Sequence, residues 1–478
     1  MSIDSEDYDV VIIGGGPAGI AAASWLLERG IVPLVIDEQQ RPGGQILRQS
    51  PWALNGRAPS QAWRAVAESP PPAQRAIEAL RVKRDRFERD AGPHWLGGHS
   101  VVGLRLDSRV FQLTVTSVNV IRQITARAVL IATGCHELAV PLPGWTLPGV
   151  LGAGAFQTLI KGQLTLAGER TLFVGTHPLQ LLVAAQTIVA GGGVAAVAFA
   201  QSRLTLLRSL FGNAAVVARH LPTLLPAMYA WRTLRKARVP VLFETGAVRI
   251  EWHEGVEGVQ LSNGIRVGCD TVAQCYGFVP QADLPRQAGV RLRVAGHAGG
   301  WATEVDEWQA TSLRGLFAAG ETTGVAGAQG ADLSGQLAAL GIARYLGHIS
   351  VAEAEFRASR VRRLLSRVKA FAAWLESLAN PHGGLPHPEP DTLICRCEKV
   401  SYAKVRAGLD FLKSADALKL MSRCGMGLCQ GRMCETSLLR LLAEHGIRTD
   451  PGFTARFPAR PLPLSCLRSN KVTRAPLL

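Results

Sequence analysis

The segment Tyr8–Glu38, YDVVIIGGGPAGIAAASWLLERGIVPLVIDE, constrains the fold of this chain more than any other. Its apolar run Tyr8–Ile13 reads as a short buried strand, Ala18–Glu28 has helical periodicity, and Gly30 ends the helix. Val32–Ile36 reads as a second strand, with Asp37 at its C-terminal end. Gly14, Gly16 and Gly19 complete G-x-G-x-x-G, with Pro17 and Ala18 in the first helical turn. The glycine pattern alone is common; strand, turn, helix, strand and acid in this order, within about 30 residues, is specific. Gly14 permits the tight turn, Gly16 lets the backbone approach a pyrophosphate, and Gly19 lets helix and strand pack closely. The helix start then faces the phosphates with unpaired N–H groups, and Asp37, or the adjacent Glu38, accepts from a ribose hydroxyl. The segment is a cradle for a dinucleotide.

The chain has 478 residues, enough for roughly three domains. Its formal charge is +15, but the arginines are spread over Arg203–Arg238, Arg357–Lys369 and the tail. No basic stretch is clearly interleaved with aromatic residues as a single-strand binder's would be, which argues against nucleic acid. A solvated basic surface, or one facing an acidic partner subunit, is the simpler reading. The start, MSIDSEDYD, is acidic and polar, unlike a signal peptide. The longest weakly charged run, Leu181–Ala200, is broken by Gln186 and three glycines, so no transmembrane segment is expected and a cytoplasmic location is. In that compartment clustered cysteines point to a metal or redox site rather than to disulfides.

Three further segments narrow the dinucleotide. RPGGQI lies at Arg41–Ile46, AVLIATG at Ala128–Gly134, and GLFAAGETTGVAGAQGA at Gly315–Ala331. This ordered set resembles the FAD-binding half of two-dinucleotide-domain flavoproteins of the thioredoxin reductase and glutathione reductase type. The resemblance implies an α/β fold with two Rossmann-like dinucleotide-binding domains, and FAD held by Gly44 and Gln45 at the ring and by Thr133 and Gly134 nearby. It also implies Gly320 and Glu321 at the ribityl chain, Glu321 standing where the family has Asp, and Gln329 at the start of a helix aimed at the flavin's carbonyl end.

Arg170–Ala200, RTLFVGTHPLQLLVAAQTIVAGGGVAAVAFA, repeats strand, turn, helix, glycines, strand where the resemblance implies an NAD(P) domain. His177 and Pro178 replace the glycine and small residue of a working site, and a side chain at His177 obstructs a pyrophosphate. The next strand ends at Ala200–Gln201 without an acid, although Arg203 could receive a 2′-phosphate. The domain therefore reads as degenerate, kept for architecture or turned to another nucleotide, and His177 reads as a structural turn residue. No redox Cys-x-x-Cys is present, and Cys135, Cys269 and Cys275 read as small core hydrophobes.

The C-terminal region begins with a basic apolar-periodic helix, Arg357–Ala379, and the linker NPHGGLPHPEPDT. Cys395 and Cys397 then form C-x-C, and Cys429 and Cys434 form C-x4-C, inside RCGMGLCQGRMC. Four thiolates bind zinc or an iron–sulfur cluster. Cys424, Cys429 and Cys434, five apart, cannot share one helical face, and Gly425, Gly427 and Gly431 argue for a wrapping loop instead. CRCEKV with GMGLCQGRMC resembles the bacterioferritin-associated-ferredoxin-type [2Fe–2S] module, a small helical domain. More closely, it resembles that module as fused to α subunits of opine oxidases, D-hydroxyproline dehydrogenase and hydrogen cyanide synthase, which share PGWTLPGVLGAG, here Pro143–Gly154. The resemblance makes Cys395, Cys397, Cys429 and Cys434 the cluster ligands and leaves Cys424 a buried or neighbouring thiol.

The expected layout is an FAD domain of residues 1–150 and 276–350, a degenerate NAD(P)-like domain of 151–275, helix and linker of 351–390, an iron–sulfur domain of 391–446 and a tail of 447–478. The resemblance implies an oxidoreductase subunit that works with a D-amino-acid-oxidase-like flavoprotein β subunit, with a place for a small ferredoxin-like γ subunit. No general base stands among the motif residues, so no catalytic residue is expected here. The alternatives are an NAD(P)H-dependent ferredoxin-type reductase and a subunit of a hydrogen cyanide synthase.

Overall fold

The structure, a computed structural model, describes residues 6–47, 74–118, 120–380 and 385–468. The N-terminal MSIDS, residues 48–73, residue 119, residues 381–384 of the linker and residues 469–478 lie outside the described residues.

The first sheet is built from β1 (Glu6–Ile13), β2 (Leu34–Asp37), β3 (Trp95–Gly97), β4 (Ser100–Asp107), β5 (Val110–Thr116) and β6 (Ile121–Ile131), in the order β3-β2-β1-β6-β5-β4. β1 is parallel to β2 and β6, while β4 and β5 run as an antiparallel meander. On the edge away from β1, β6 is long enough to serve two neighbours: its first half pairs with β5, and Val129–Ile131 pair with Leu316–Ala318. The late GLFAAG segment thus returns to the first sheet. Between β1 and β2 lies helix α1 (Pro17–Leu27), entered by Pro17 at its first turn, where a missing N–H costs nothing. Ala18, Ala21, Ala22, Ala23 and Leu26 are buried on it against the helix Gly327–Tyr345. Small residues let those two backbones approach: a Cβ at Gly335 would stand 2.1 Å from the Ala18 carbonyl oxygen.

The second sheet is parallel and smaller. Arg170–Gly175 lies at its centre, flanked by Gly193–Phe199 and Thr271–Cys275, with Val241–Leu242 and Val150–Gly152 at the edges. Helix Leu179–Val189 packs on it with Val183 and Ala184 fully buried. The basic helix is longer than its sequence pattern suggested, Val351–Ala379, because Ser350 caps it by accepting from the Glu353 N–H. After it come a small hairpin, Leu393–Cys395 with Val400–Ser401, and helices Tyr402–Leu409, Ala415–Ser422 and Glu435–Glu444 around their own core of Ile394, Val405, Leu418, Leu438 and Leu442.

Candidate functional site: a glycine cradle beside a cluster of thiols

The cradle forms at the C-terminal ends of β1 and β2. Gly14 takes φ +109°, and a Cβ there would stand 2.3 Å from the Ala132 carbonyl oxygen. At Gly19 a Cβ would stand 1.9 Å from the Gly14 carbonyl oxygen, which is the close helix–strand packing expected of it. Gly16 faces open space: only the Gly44 Cα lies within 4 Å of where its Cβ would be. Gly44 (φ +58°) therefore sits across the groove from Gly16, with Pro17 beside it. Asp37 closes the loop by accepting from the N–H of Gly15 at 2.5 Å and of Gln39 at 2.6 Å, while burial pushes its carboxyl up. Glu38 turns outward to Ser100 and to Arg460.

The other wall is made of Thr133, Gly134, Gly320 and Glu321. Gly134 takes φ +79°, and its carbonyl accepts from the Gln281 N–H. Thr133 and Thr322 both donate to the Gln281 carbonyl. Gly320 donates to Ser334 on the helix Gly327–Tyr345, whose first turn carries Gln329 exposed. Glu321 accepts a 3.0 Å hydrogen bond from the Cys135 thiol. Burial pushes both groups up, and the Glu321 charge raises Cys135 further. Cys269 and Cys275 are buried as expected of small hydrophobes, but Cys135 is only half-buried and polar-bonded.

The C-terminal thiols converge without a helix. Arg423 (φ +70°), Gly425 (φ +88°), Gln430 (φ +51°) and Gly431 (φ +91°) turn the chain repeatedly between Ser422 and Glu435. The sulfurs of Cys395, Cys424 and Cys434 lie within 4.8 Å of one another. Burial raises Cys429, and the neighbouring Cys397 thiol raises it further. Of the expected ligands, Cys395 and Cys434 are thus together, and so are Cys397 and Cys429. The sequence set Cys424 outside the ligand pairs; the structure buries it, as expected, but against two of them. Hydrogen bonds from Cys424 and then Cys434 pull Cys395 down to about 2, and the bond to Cys395 pushes Cys424 up to about 12. Contacts with Cys395 and then Cys424, and after them burial, push Cys434 up as well. Three sulfurs this close and this buried could not all ionise without a cation beside them.

The thiol loop is docked on the flavin half. Arg432, between Cys429 and Cys434, donates to Asp283 at 2.6 and 2.8 Å, and the Arg432 carbonyl lies 3.1 Å from His136 Nε2. Arg286 pairs with Glu435 at 2.8 Å, both largely buried, so removing either partner should cost about 3–5 kcal/mol. Trp145, in the PGWTLPGVLGAG segment, donates to the Leu393 carbonyl at 2.7 Å, just before Cys395. Thr133, Gly134, Cys135 and His136 are consecutive, so one short stretch borders both the groove and the thiol loop.

One contributor left no signal in the sequence. The segment after Ile447 packs Phe453 against Gly425 and Gly431, whose added Cβ atoms would stand 2.4 and 2.6 Å from its ring. It then carries Arg460 to the groove, where it pairs with Glu38 and donates to the Gln281 side chain at 2.8 Å. A cavity of about 550 Å³ separates the three parts, bordered by His136, Asp283, Trp301, Gln430, Arg432 and Arg460.

Residues 8–354 match the family of pyridine nucleotide–disulphide oxidoreductases. The chain belongs to that family. It is 33% identical to an opine oxidase subunit of Rhizobium meliloti (strain 1021), over 96% of this chain and 97% of that one. It is also 33% identical to hydrogen cyanide synthase subunit HcnB of Pseudomonas aeruginosa, over 96% and 98%. In fold it is similar to the crystal structure of L-proline dehydrogenase from P. horikoshii, with TM-score 0.66 and 18% identity over 98% of this chain and 81% of that one. This member of the oxidoreductase family has the two Rossmann-like sheets expected of it, with a small helical C-terminal region. No helix among its described residues is long and apolar enough to cross a membrane.

The family's second nucleotide turn has a different filling here. The N–H groups of Thr176 and His177 both donate to the Cys275 carbonyl at 2.9 Å. Gly175 packs so tightly that a Cβ would stand 2.1 Å from that same oxygen. His177 Nδ1 accepts from the Leu179 N–H, its ring meets Phe278 edge-on, and burial lowers it to about 4. These amides are the ones a pyrophosphate would use. Arg203 lies over the Phe243 ring at 5.0 Å.

Proposed function

We propose that this oxidoreductase is the FAD- and [2Fe–2S]-carrying subunit of a hetero-oligomeric dehydrogenase for amines or imino acids, of opine or D-hydroxyproline type. Its chemistry would begin on a D-amino-acid-oxidase-like partner β subunit. The observation that carries the reading is the pair of thiol pairs, Cys395 with Cys434 and Cys397 with Cys429, docked through Arg432 and His136 beside the groove.

Two thiolates per iron is the ligand pattern of a four-cysteine [2Fe–2S] centre, and these pairs supply it, with Cys424 as a buried neighbour. The glycine cradle fits a dinucleotide because a Cβ at Gly14 or Gly19 would occupy backbone space and one at Gly16 would enter the groove. When bound, FAD and the cluster supply two-electron and one-electron transfer, respectively. The chain's own part is to hold them. Gly14, Gly16 and the start of α1 take the pyrophosphate; Asp37 or Glu38 accepts from the adenosine ribose; Glu321 accepts from the ribityl chain; Gly44, Gln45, Thr133 and Gly134 border the ring. Arg460 adds positive charge at the mouth of the groove. Arg432, His136, Arg286 and Glu435 hold the thiol loop against the flavin half. Equal identity to HcnB and to the opine oxidase relative leaves the substrate class as an amine with a C–H beside nitrogen.

The test is co-expression with candidate β subunits, followed by an amine-oxidation screen in the assembled complex. Amine-dependent bleaching of flavin absorbance only when both chains are present supports the reading. Rapid bleaching of this chain alone by NADH or NADPH would replace it with a self-contained ferredoxin-type reductase.

A further inference from the structure

Between Arg203 and Phe243 the chain leaves the second sheet for three helices, Arg203–Gly212, Ala214–Arg219 and Leu221–Lys236. Ser202 caps the first, Trp374 donates to Ser209 at 3.1 Å, and His220 stacks on Phe371. On the third helix Ala230 and Leu234 are buried. These contacts fix the inner faces and leave the outer ones bare. Leu204, Leu207 and Phe211 form one stripe at helical spacing, with Phe211 78% exposed. Leu221, Leu225 and Met228 form a second, each at least 43% exposed. Tyr229 and Trp231 are exposed beside it. A depression of about 300 Å³ opens there, floored by Leu181, Leu224, Ala227 and Met228 and edged by Trp231 and Arg232.

The charge of the same segment is of one sign. It contains Arg203, Arg208, Arg219, Arg232, Arg235, Lys236 and Arg238 and no Asp or Glu. None of these cations has a carboxylate partner among the described residues, although ion pairs are frequent elsewhere, as at Arg357–Glu353 and Arg362–Glu355. Exposed apolar side chains beside arginines without a carboxylate partner are suited to the boundary between lipid headgroups and acyl chains. There the rings and aliphatic stems sink and the guanidinium groups reach phosphate. What favours lipid is the single sign of the charge: a sheet of phosphates meets all seven cations at once, whereas a protein partner would have to bring an acid for each. We propose that the helical excursion 203–238 is a docking surface for an anionic phospholipid membrane. The inference is independent of the reading given above for the thiols and the groove.

The test uses the purified, flavin-loaded full chain and vesicle co-sedimentation. Vesicles of phosphatidylcholine mixed with phosphatidylglycerol should bind it at low salt, and those of phosphatidylcholine alone far less. Binding should weaken as salt rises, and each of R208Q, R219Q and R235Q should lower partitioning roughly fivefold. Phe211→Ser with Met228→Ser should lower it further while flavin absorbance and melting temperature stay unchanged. Phe356→Ser is the control: Phe356 is 84% exposed but lies between Glu355 and Arg357 near Glu353, and its loss should change nothing. No sedimentation with the anionic vesicles at low salt would overturn the proposal. So would equal binding to both vesicle types, or a Phe211→Ser and Met228→Ser variant that binds lipid normally but no longer holds a co-expressed partner chain.

Discussion

The chain makes the same strand–turn–helix twice, and the two turns differ in what occupies them. At Gly14–Gly19 the Gly14 and Gly15 amides are taken by Ile36 and Asp37, but the place of a Gly16 side chain faces an open groove. At Gly175–Leu179 the corresponding amides are spent on the Cys275 carbonyl, and His177 fills the remaining space. Topology is therefore a poor guide to binding: a Rossmann-like unit offers a site only where the start of its helix is left open, as at Gly16 and not at His177. The lesson extends to the thiols. They converge not at the second turn but in a small helical region docked through Arg432 on Asp283 and through the Leu393 carbonyl on Trp145.

The largest effect should come from closing the first turn. Gly19→Val drives a side chain into the Gly14 carbonyl and should cost roughly 4 kcal/mol or more, read as loss of folded, flavin-containing protein. Next come the thiols. Cys429→Ala should abolish cluster absorbance and iron content, whereas Cys424→Ala should retain both. The opposite pattern would mean that the sulfur group of Cys395, Cys424 and Cys434 is the ligand set.

The second turn gives a pH test. His177 is lowered to about 4 by burial, below the ordinary 6.5. Its neutral form therefore contributes stability in full above pH 6.5, and that contribution, about 3 kcal/mol, is lost as pH falls toward 4. His177→Asn keeps an acceptor for the Leu179 N–H and should flatten that part of the melting-temperature profile. Opening the turn with His177→Gly should still not yield reduction by NADH or NADPH, because the amides of Thr176 and His177 remain committed; NAD(P)H-dependent bleaching would break the comparison. The smallest effect is expected at Arg460, where Arg460→Met should weaken FAD retention about tenfold, the lower end for one charge-assisted hydrogen bond, and Arg460→Lys should restore part of it. Unchanged flavin affinity in both variants would make the Arg460–Glu38 pair merely a link between segments.

The parts legible in the sequence are those whose physics is local. The first turn is read from spacing because each glycine answers a neighbour within the same unit. The loop at Cys424–Cys434 is read as non-helical because five-residue spacing and glycines exclude one helical face, and the positive φ values at Gly425 and Gly431 bear this out. What the sequence hid depends on distant chain. Cys424 is placed by the fold of the hairpin carrying Cys395, about 30 residues away, so spacing alone left it a bystander. The segment Pro451–Arg468 has no apolar period to mark it, yet Arg432 donates to the Ala459 carbonyl and the Cys466 thiol lies 3.5 Å from the Thr116 hydroxyl on β5. Cys135 looked like a core hydrophobe because its partner, Glu321, comes from the other end of the flavin half.

The central claim is that the first turn holds FAD and the C-terminal thiols hold a two-iron cluster in the same chain. Measuring flavin, iron and acid-labile sulfide on one anaerobically purified sample tests it most directly. The account predicts one FAD, two irons and two sulfides per chain. Flavin with zinc in place of iron and no labile sulfide, or iron and sulfide without flavin, would contradict it.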